Sequence, residues 1–187
     1  MKRFYGLLTV LLSASLLIVG CGKKEAPTTS YRETANRVVT HAYFSPRGGC
    51  TKAIVEQIKR SHKTIDIAIY SFTSKKIAKA LIDAHRRGVR VRVIIDYGNG
   101  KSRYCVGPLL EKEGIEVRYK KGSGGGLMHN KYAVYDGKVV STGSFNWTAN
   151  AEKRNDENLV VIENDPSLVK AYEANFRKLW RLAGLTN

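Results

Sequence analysis

Thr64–Asp96 reads TIDIAIYSFTSKKIAKALIDAHRRGVRVRVIID, and its two ends differ from its middle. Residues 64–72 and 89–96 alternate apolar with polar positions and are rich in β-branched side chains, which predicts two strands. The segment between them is predicted to be a helix over 74–87, with Ser74 as its N-cap and Gly88 just past its end. A strand, a helix and a second strand in this order indicate an α/β domain.

The same kinds of pattern continue on both sides of this segment. The predicted elements are a strand over 38–44, a helix over 50–62, a Gly/Asn loop over 97–103, a short helix over 104–113, a strand over 115–119 and an amphipathic helix over 166–182. A chain of 187 residues fits one such domain and is too short for two ordinary ones. We therefore expect one α/β domain over 38–187, with a mixed β-sheet flanked by helices on both faces.

The first residues have the features of an export signal. Lys2 and Arg3 precede an apolar run over 7–19, and small residues lead directly to Cys21. This order resembles a bacterial lipoprotein signal peptide over 1–20, cleaved ahead of a lipid-carrying Cys21. A plain signal peptide or an uncleaved anchor is the alternative. Residues 21–37 are polar and predict a tether, and Gly22 in place of an Asp favours sorting to the outer membrane of the cell envelope.

Export changes the interpretation of the remaining cysteines. With Cys21 lipidated, Cys50 and Cys105 are one possible disulfide pair in an oxidising compartment. A zinc site is the competing interpretation, but no CxxC motif or closely spaced histidines support it. The sequence therefore favours a disulfide between Cys50 and Cys105 and predicts no metal site.

The charge of the chain points to a polyanionic partner. Lys and Arg number 32 against 16 Asp and Glu, which gives a formal net charge of +16. Nucleic acid, an anionic membrane surface and an acidic polymer all fit this imbalance. Basic residues that follow predicted strands are candidates for a nucleic-acid track, with a solvated basic face as the alternative: Lys75, Lys76, Lys101, Arg103, Lys120 and Lys121. Nearby rings that could stack on bases are Tyr70, Phe72 and Tyr97, although core packing is the simpler role for Phe72.

A predicted hairpin concentrates reactive side chains. Residues 131–135 and 138–142 read as strands joined by a two-residue Asp136-Gly137 turn. If Tyr135 pairs with Lys138, His129 lies opposite Ser144 at the open end of the hairpin. At that end, side chains two residues apart share one face.

The open end then holds an imidazole, an ammonium, a hydroxyl and a carboxamide, from His129, Lys131, Ser144 and Asn146. This set provides a nucleophile or base beside three groups able to hold phosphate oxygens. A structural histidine and a solvated lysine are the alternatives for the first two. Asp136 lies at the turn, away from His129, so its expected role is turn geometry or a structural hydrogen bond.

These residues resemble a known family. His129, Lys131 and Asp136 match the HxKxxxxD signature of the phospholipase D superfamily, and Gly143-Ser-Phe-Asn146 matches the G-S-x-N that follows it. Further similarity to the small bacterial endonuclease branch of that superfamily extends from about Tyr43 to Trp180. The segments that carry it are FSP at 44–46, YSFT at 70–73, VIID at 93–96 and NDENLVV at 155–161.

The resemblance implies a fold, a reaction and a site. It implies a phospholipase D-like domain that hydrolyses nucleic-acid phosphodiesters with little sequence preference and without a metal or other cofactor. His129 would form a covalent phosphohistidine, Lys131, Ser144 and Asn146 would bind the phosphate, and Glu157 would orient the histidine. An ordinary strand-edge acid is the alternative for Glu157.

One copy of the motif supplies one histidine, whereas the reaction needs a nucleophile and a general acid. The resemblance therefore implies a homodimer in which two copies of His129 face each other. A phospholipase D-type lipid phosphodiesterase is the second hypothesis, and a non-catalytic anion-binding lipoprotein is the third.

Overall fold

The computed structural model describes Met1 and residues 37–185, so the predicted signal peptide, Cys21 and most of the tether lie outside the described residues. The described residues form a seven-stranded sheet in the order β1-β7-β6-β5-β2-β3-β4. The strands are β1 (Val39–Ser45), β2 (Thr64–Ile69), β3 (Arg90–Asp96), β4 (Glu116–Lys120), β5 (Lys131–Tyr135), β6 (Val139–Gly143) and β7 (Glu157–Glu163).

Helices cover both faces of this sheet. They are α1 (Cys50–Arg60), α2 (Lys75–Arg86), α3 (Tyr97–Gly100), α4 (Gly107–Lys112), α5 (Ala149–Lys153) and α6 (Pro166–Gly184). One core joins the sheet to α1, α2 and α4, and includes Ile54 and Leu81. A second core lies under α6 and includes Phe176 and Leu179. Within the part of the chain that is described, no helix has the length and apolar character needed to cross a membrane.

The predicted fold class is confirmed. Strands β2, β3 and β4 run parallel, whereas β5, β6, β7 and β1 are antiparallel to their neighbours, so the sheet is mixed. Ser74 caps α2 as predicted, because its hydroxyl accepts a hydrogen bond from the Ile77 N–H. The loop expected over 97–103 instead begins with the short helix α3, which the Asp96 side chain caps.

The register of the hairpin differs from the expected one. Tyr135 pairs with Val139, not with Lys138. Asp136 and Gly137 both have positive φ, at 52° and 63°, and Lys138 N donates to Tyr135 O at 2.9 Å. The tight turn thus closes on Lys138 and leaves that residue outside the ladder. If this register is continued past the end of β6, Phe145 and not Ser144 lies opposite His129.

The predicted Cys50–Cys105 disulfide is wrong for this structure, in which both thiols are free. Cys50 is buried at the start of α1, a helix that packs against β1 and β7. Cys105 precedes α4, which packs against β4 at the opposite edge of the sheet. Its sulfur accepts a hydrogen bond from Gly107 N at 3.4 Å. The helices that begin at Cys50 and just after Cys105 therefore pack toward opposite edges of the sheet.

Candidate active site

The site lies where the carboxyl ends of the parallel strands meet the start of β5. Ile69, the last residue of β2, pairs with Lys131, the first residue of β5. Tyr70 N then donates to Asn130 O at 2.8 Å, which extends the pairing by one step. The chain therefore presents His129 at an end of the sheet, where the ring is exposed, while Lys131 is 9% exposed.

Lys131 and His129 are in direct contact. The Lys131 Nζ lies 3.2 Å from each ring nitrogen of His129 and donates to the His129 carbonyl oxygen at 2.9 Å. The Tyr70 ring packs beside the imidazole with centroids 4.4 Å apart and lies 4.9 Å from the same ammonium. Tyr70 therefore forms one wall of the site rather than a separate base-stacking surface.

The electrostatics of Lys131 connect it to Glu157. Burial lowers the pKa of the Lys131 ammonium, and the negative charge of Glu157 opposes that shift. Glu157 is half-buried at the start of β7, and its Oε1 accepts a hydrogen bond from Asn155 Nδ2 at 3.1 Å. The structure thus brings the carboxylate of Glu157 into electrostatic range of Lys131.

Hydrogen bonds between side-chain oxygens and backbone N–H groups hold the two polar residues after β6, Ser144 and Asn146. Ser144 Oγ accepts from Asn158 N at 3.1 Å, and Asn158 Oδ1 accepts from Ser144 N at 3.3 Å. Asn146 Oδ1 accepts from Ser71 N at 3.2 Å. Because that bond uses the oxygen of the carboxamide, the Asn146 NH₂ group keeps its donors for an anion.

Close packing explains the glycine before Ser144. Gly143 has a φ of 152°, and a Cβ on it would lie 2.3 Å from the Asn158 carbonyl oxygen. Only glycine lets β6 and β7 approach this closely at the point where the Ser144 and Asn158 side chains interlock.

Asp136 lies at the far end of the hairpin and does not join the site. Its carboxylate accepts hydrogen bonds from the backbone N–H groups of His62, Lys63 and Thr64 at 2.9, 2.7 and 2.9 Å. Burial alone would raise the pKa of Asp136, but these three donors hold it below its ordinary value. The residue anchors the turn to the entrance of β2.

Asp96 is an organising residue that the sequence reasoning left unassigned. Its buried carboxylate accepts from Asn99 N at 3.0 Å through one oxygen and from Met128 N at 3.1 Å through the other. It therefore joins the start of α3 to the residue directly before His129. The sequence feature that could have indicated this role is an acidic residue at the end of an apolar strand, in the VIID segment at 93–96.

Two candidates for nucleic-acid contact are corrected. Lys120 is buried, and its Nζ donates to Lys121 O at 2.8 Å and to Ser123 Oγ at 3.2 Å, so it holds together the glycine-rich loop over 122–126. Phe72 is 1% exposed and packs edge-on against Trp147, which excludes base stacking. Within residues 37–185, no group of three or more His, Cys, Asp or Glu lies close enough together to hold a metal ion.

Comparison with known proteins identifies the family. Residues 54–180 match the family model described as cardiolipin synthase, PLD-like domain. A phospholipase D of Rickettsia felis is 41% identical over 133 residues, which cover 71% of this chain and 65% of the relative. A mitochondrial cardiolipin hydrolase of Xenopus laevis is 41% identical over 128 residues, which cover 68% of this chain and 59% of the relative. The matched region therefore spans less than two thirds of the length of these two curated relatives.

A solved structure shows the same fold. The crystal structure of Nuc, a phospholipase D family member from Salmonella typhimurium, matches with a TM-score of 0.73 and 31% identity, over 78% of this chain and 95% of that one. The family model covers most of the chain, and the His129–Lys131 pair lies within the matched residues. The chain therefore belongs to the phospholipase D superfamily.

Proposed function

We propose that the protein is a phosphodiesterase that hydrolyses nucleic acid through a phosphohistidine intermediate. The observation that carries this proposal is the contact between the exposed His129 ring and the Lys131 ammonium, at 3.2 Å. A nucleophile next to a cation at an open end of the sheet suits attack on a phosphodiester, since the cation attracts the non-bridging oxygens. Glu157 and the Asn146 amide supply a counter-charge and a further donor.

The reaction has two balanced steps. A His129 nitrogen attacks phosphorus, and the bond from phosphorus to the leaving oxygen breaks as the nitrogen–phosphorus bond forms. The leaving oxygen takes a proton from a general acid. Water then attacks phosphorus, loses a proton to the same group now acting as a base, and breaks the nitrogen–phosphorus bond. Lys131, Asn146 and the Ser144 hydroxyl hold the non-bridging oxygens throughout.

The general acid in this proposal is His129 of a second copy of the chain. The other histidines in the sequence are His41, His62 and His85, and none has a lysine two residues later. An exposed His129 at an end of the sheet is accessible to a symmetry-related copy. We therefore propose a homodimer with one shared active site that uses no metal ion.

Basic side chains beside an exposed aromatic ring favour nucleic acid as the substrate. The net charge is +16, and Lys101 and Lys121 lie on the exposed ring of Tyr97 near the ends of β3 and β4. A lipid phosphodiester is the second candidate, because the relatives above are named phospholipase D and cardiolipin hydrolase.

The test compares substrates on one preparation. Labelled DNA and RNA, single-stranded and duplex, and vesicles of phosphatidylcholine or cardiolipin are incubated with the purified protein in the presence of EDTA. We expect cleavage of nucleic acid that the His129→Asn variant lacks. Lipid turnover without nucleic-acid cleavage would replace the proposal with the second candidate, and activity abolished by EDTA would overturn the metal-free mechanism.

We also propose that a lipid on Cys21 anchors the protein in the cell envelope, with the outer membrane as its destination. The basis is the order of charged, apolar and small residues ahead of Cys21. Cys21→Ser should accumulate as an unprocessed or mislocated precursor, whereas the matched variant Cys105→Ser should be processed normally. Normal processing and membrane partition of Cys21→Ser would show that this anchor is wrong.

A further inference from the structure

A second polar cluster lies beside the active site, at the edge of the sheet formed by β4. It consists of Tyr97, Lys101 and Lys121, which we call the Tyr97 cluster. The Tyr97 ring is 40% exposed, and the Nζ atoms of Lys101 and Lys121 lie 4.4 and 5.2 Å from its centroid. Two cations from separate loops thus converge on one solvent-accessible aromatic ring.

The two lysines lack a counter-charge. Neither has an ion-pair partner among residues 37–185, and the one acid lining the adjacent cavity is Glu111, in α4. The two lysines also affect the Tyr97 hydroxyl. A hydrogen bond from Lys101, together with the positive charges of Lys101 and Lys121, lowers the pKa of Tyr97. Like charges that converge in this way without an ion-pair partner favour a bound anion.

The space next to the cluster is large enough for part of a substrate. A cavity of about 770 Å³ is lined by Tyr97 and Lys121, by Ser123 of the glycine-rich loop, and by the end of α6 at 182–185. Lys120 keeps the nearby backbone in place, because its buried Nζ ties Lys121 O to Ser123 Oγ. Lys121 therefore extends from a supported backbone and not from a loose loop.

Asp96 fixes the cluster relative to the active site. Tyr97 directly follows Asp96, and His129 directly follows Met128, whose N–H donates to the Asp96 carboxylate at 3.1 Å. A single buried carboxylate thus holds both the ring of the cluster and the nucleophile on the same end of the sheet. Tyr97 follows β3, His129 precedes β5 and only β2 lies between these strands, so the two positions are separated by two strand spacings, about 10 Å along the end of the sheet. This spacing suits neighbouring units of one bound polymer.

We propose that the Tyr97 cluster binds a nucleotide next to the cleaved phosphodiester and selects single-stranded nucleic acid; this inference rests on the proposed function. Lys101 and Lys121 bind the flanking phosphate, which draws them away from the ring. The uncovered face of Tyr97 then stacks on the base. Stacking of this kind needs an unpaired base, so a duplex cannot use the site.

The test measures kcat/KM of the full-length protein for a mixed-sequence single-stranded oligonucleotide and for bis(4-nitrophenyl) phosphate, a diester with no flanking nucleotide. The variants are Tyr97→Leu and the double variant Lys101→Met/Lys121→Met. Tyr97→Leu should lower the ratio of oligonucleotide to small-diester kcat/KM by at least about fivefold, the lower end for loss of one base–aromatic stack. The double variant should also lower this ratio, because its contacts to the flanking phosphate are lost. Cleavage of the matching duplex should be slower in the wild type and nearly insensitive to Tyr97→Leu.

The matched controls remove a tyrosine ring and a lysine ammonium that lie outside the Tyr97 cluster. Tyr104 is an exposed tyrosine with the Arg103 guanidinium 4.6 Å from its ring, but it does not line the cavity. Lys138 is an exposed lysine at the far end of the hairpin. Tyr104→Leu and Lys138→Met should leave the ratio unchanged.

Several results would overturn the inference. An unchanged ratio in both cluster variants would do so, as would equal losses in the controls or an equal effect of Tyr97→Leu on duplex and single strand. A wild type that hydrolyses the small diester or lipid vesicles but no nucleic acid refutes the proposed function itself, and this is seen before any variant is compared.

Discussion

The Lys131 ammonium lies 3.2 Å from each ring nitrogen of His129 while donating to the carbonyl oxygen of that same residue at 2.9 Å. The backbone bond fixes the ammonium over the residue that carries the imidazole. A phosphate bound by Lys131 is therefore held within reach of His129. The first two predictions follow from this contact.

Replacing His129 by Asn should lower kcat by at least about 10³-fold, the order of loss seen when a catalytic nucleophile is removed. The exposed side chain packs in no core, so the melting temperature should remain close to that of the wild type. The matched control is His41→Asn, an exposed histidine in β1. Steady-state hydrolysis by a folded His129→Asn protein at near wild-type rate would refute the assignment of the nucleophile.

Replacing Glu157 by Gln should move the alkaline limb of the kcat/KM profile to lower pH. Burial lowers the pKa of Lys131, and the Glu157 charge opposes that shift. Without this charge the pKa of Lys131 falls further, so the phosphate-binding ammonium is lost at lower pH.

The control for Glu157→Gln is Glu163→Gln, at the other end of β7, where the carboxylate pairs with Arg60. The alkaline limb of the Glu163→Gln profile should match that of the wild type. A pH–rate profile of Glu157→Gln whose alkaline limb stays in place, or moves upward, would contradict the electrostatic link.

Replacing Asp136 by Asn should destabilise the fold with little effect on kcat. Asn tolerates the positive φ of 52° but loses the charge that accepts from three backbone N–H groups. The loss should be about 1 kcal/mol or somewhat more, since two of the three bonds are solvent-exposed.

The pH dependence of this effect has a definite sign. The pKa of Asp136 is lowered in the folded protein, so its stabilisation is present above the unfolded value of about 3.9 and is lost as pH falls through the folded pKa. Urea denaturation should show a stability difference between wild type and Asp136→Asn at pH 7 that shrinks below about pH 4. A difference that grows toward acid would be inconsistent with a depressed pKa.

Two adjacent lysines should behave differently in nucleic-acid binding. In a His129→Asn background, Lys121→Met should flatten the plot of log affinity against log salt by about one unit, because one phosphate contact is lost. Lys120→Met should leave that slope unchanged and lower the melting temperature, since the buried Lys120 Nζ holds the loop. Fluorescence anisotropy titrations over a salt series measure both slopes, and equal flattening by the two variants would show that Lys120 also contacts phosphate.

Local pattern was sufficient for most elements of the fold. Alternation over 64–72 and 89–96 predicted β2 and β3, and Ser74 and Gly88 marked the ends of α2, because caps and two-residue periodicity depend on neighbours in sequence. The His129–Lys131 spacing also predicted that the two side chains share a face, since side chains two apart along a strand always do.

The hairpin register, the burial of individual side chains and the link through Asp96 depend on contacts that only the folded chain makes. Whether the hairpin pairs Tyr135 with Val139 or with Lys138 depends on which register buries the apolar side chains, because a one-residue slip turns every side chain of one strand to the opposite face. Lys120 is buried because the folded loop brings Lys121 O and Ser123 Oγ to its Nζ, and Phe72 is buried because it packs against Trp147, which is distant in sequence. The helices that follow Cys50 and Cys105 pack toward opposite edges of the sheet, an arrangement set by the strand order. The link through Asp96 joins residues that are 32 apart in sequence, and only the folded sheet brings them within a hydrogen bond.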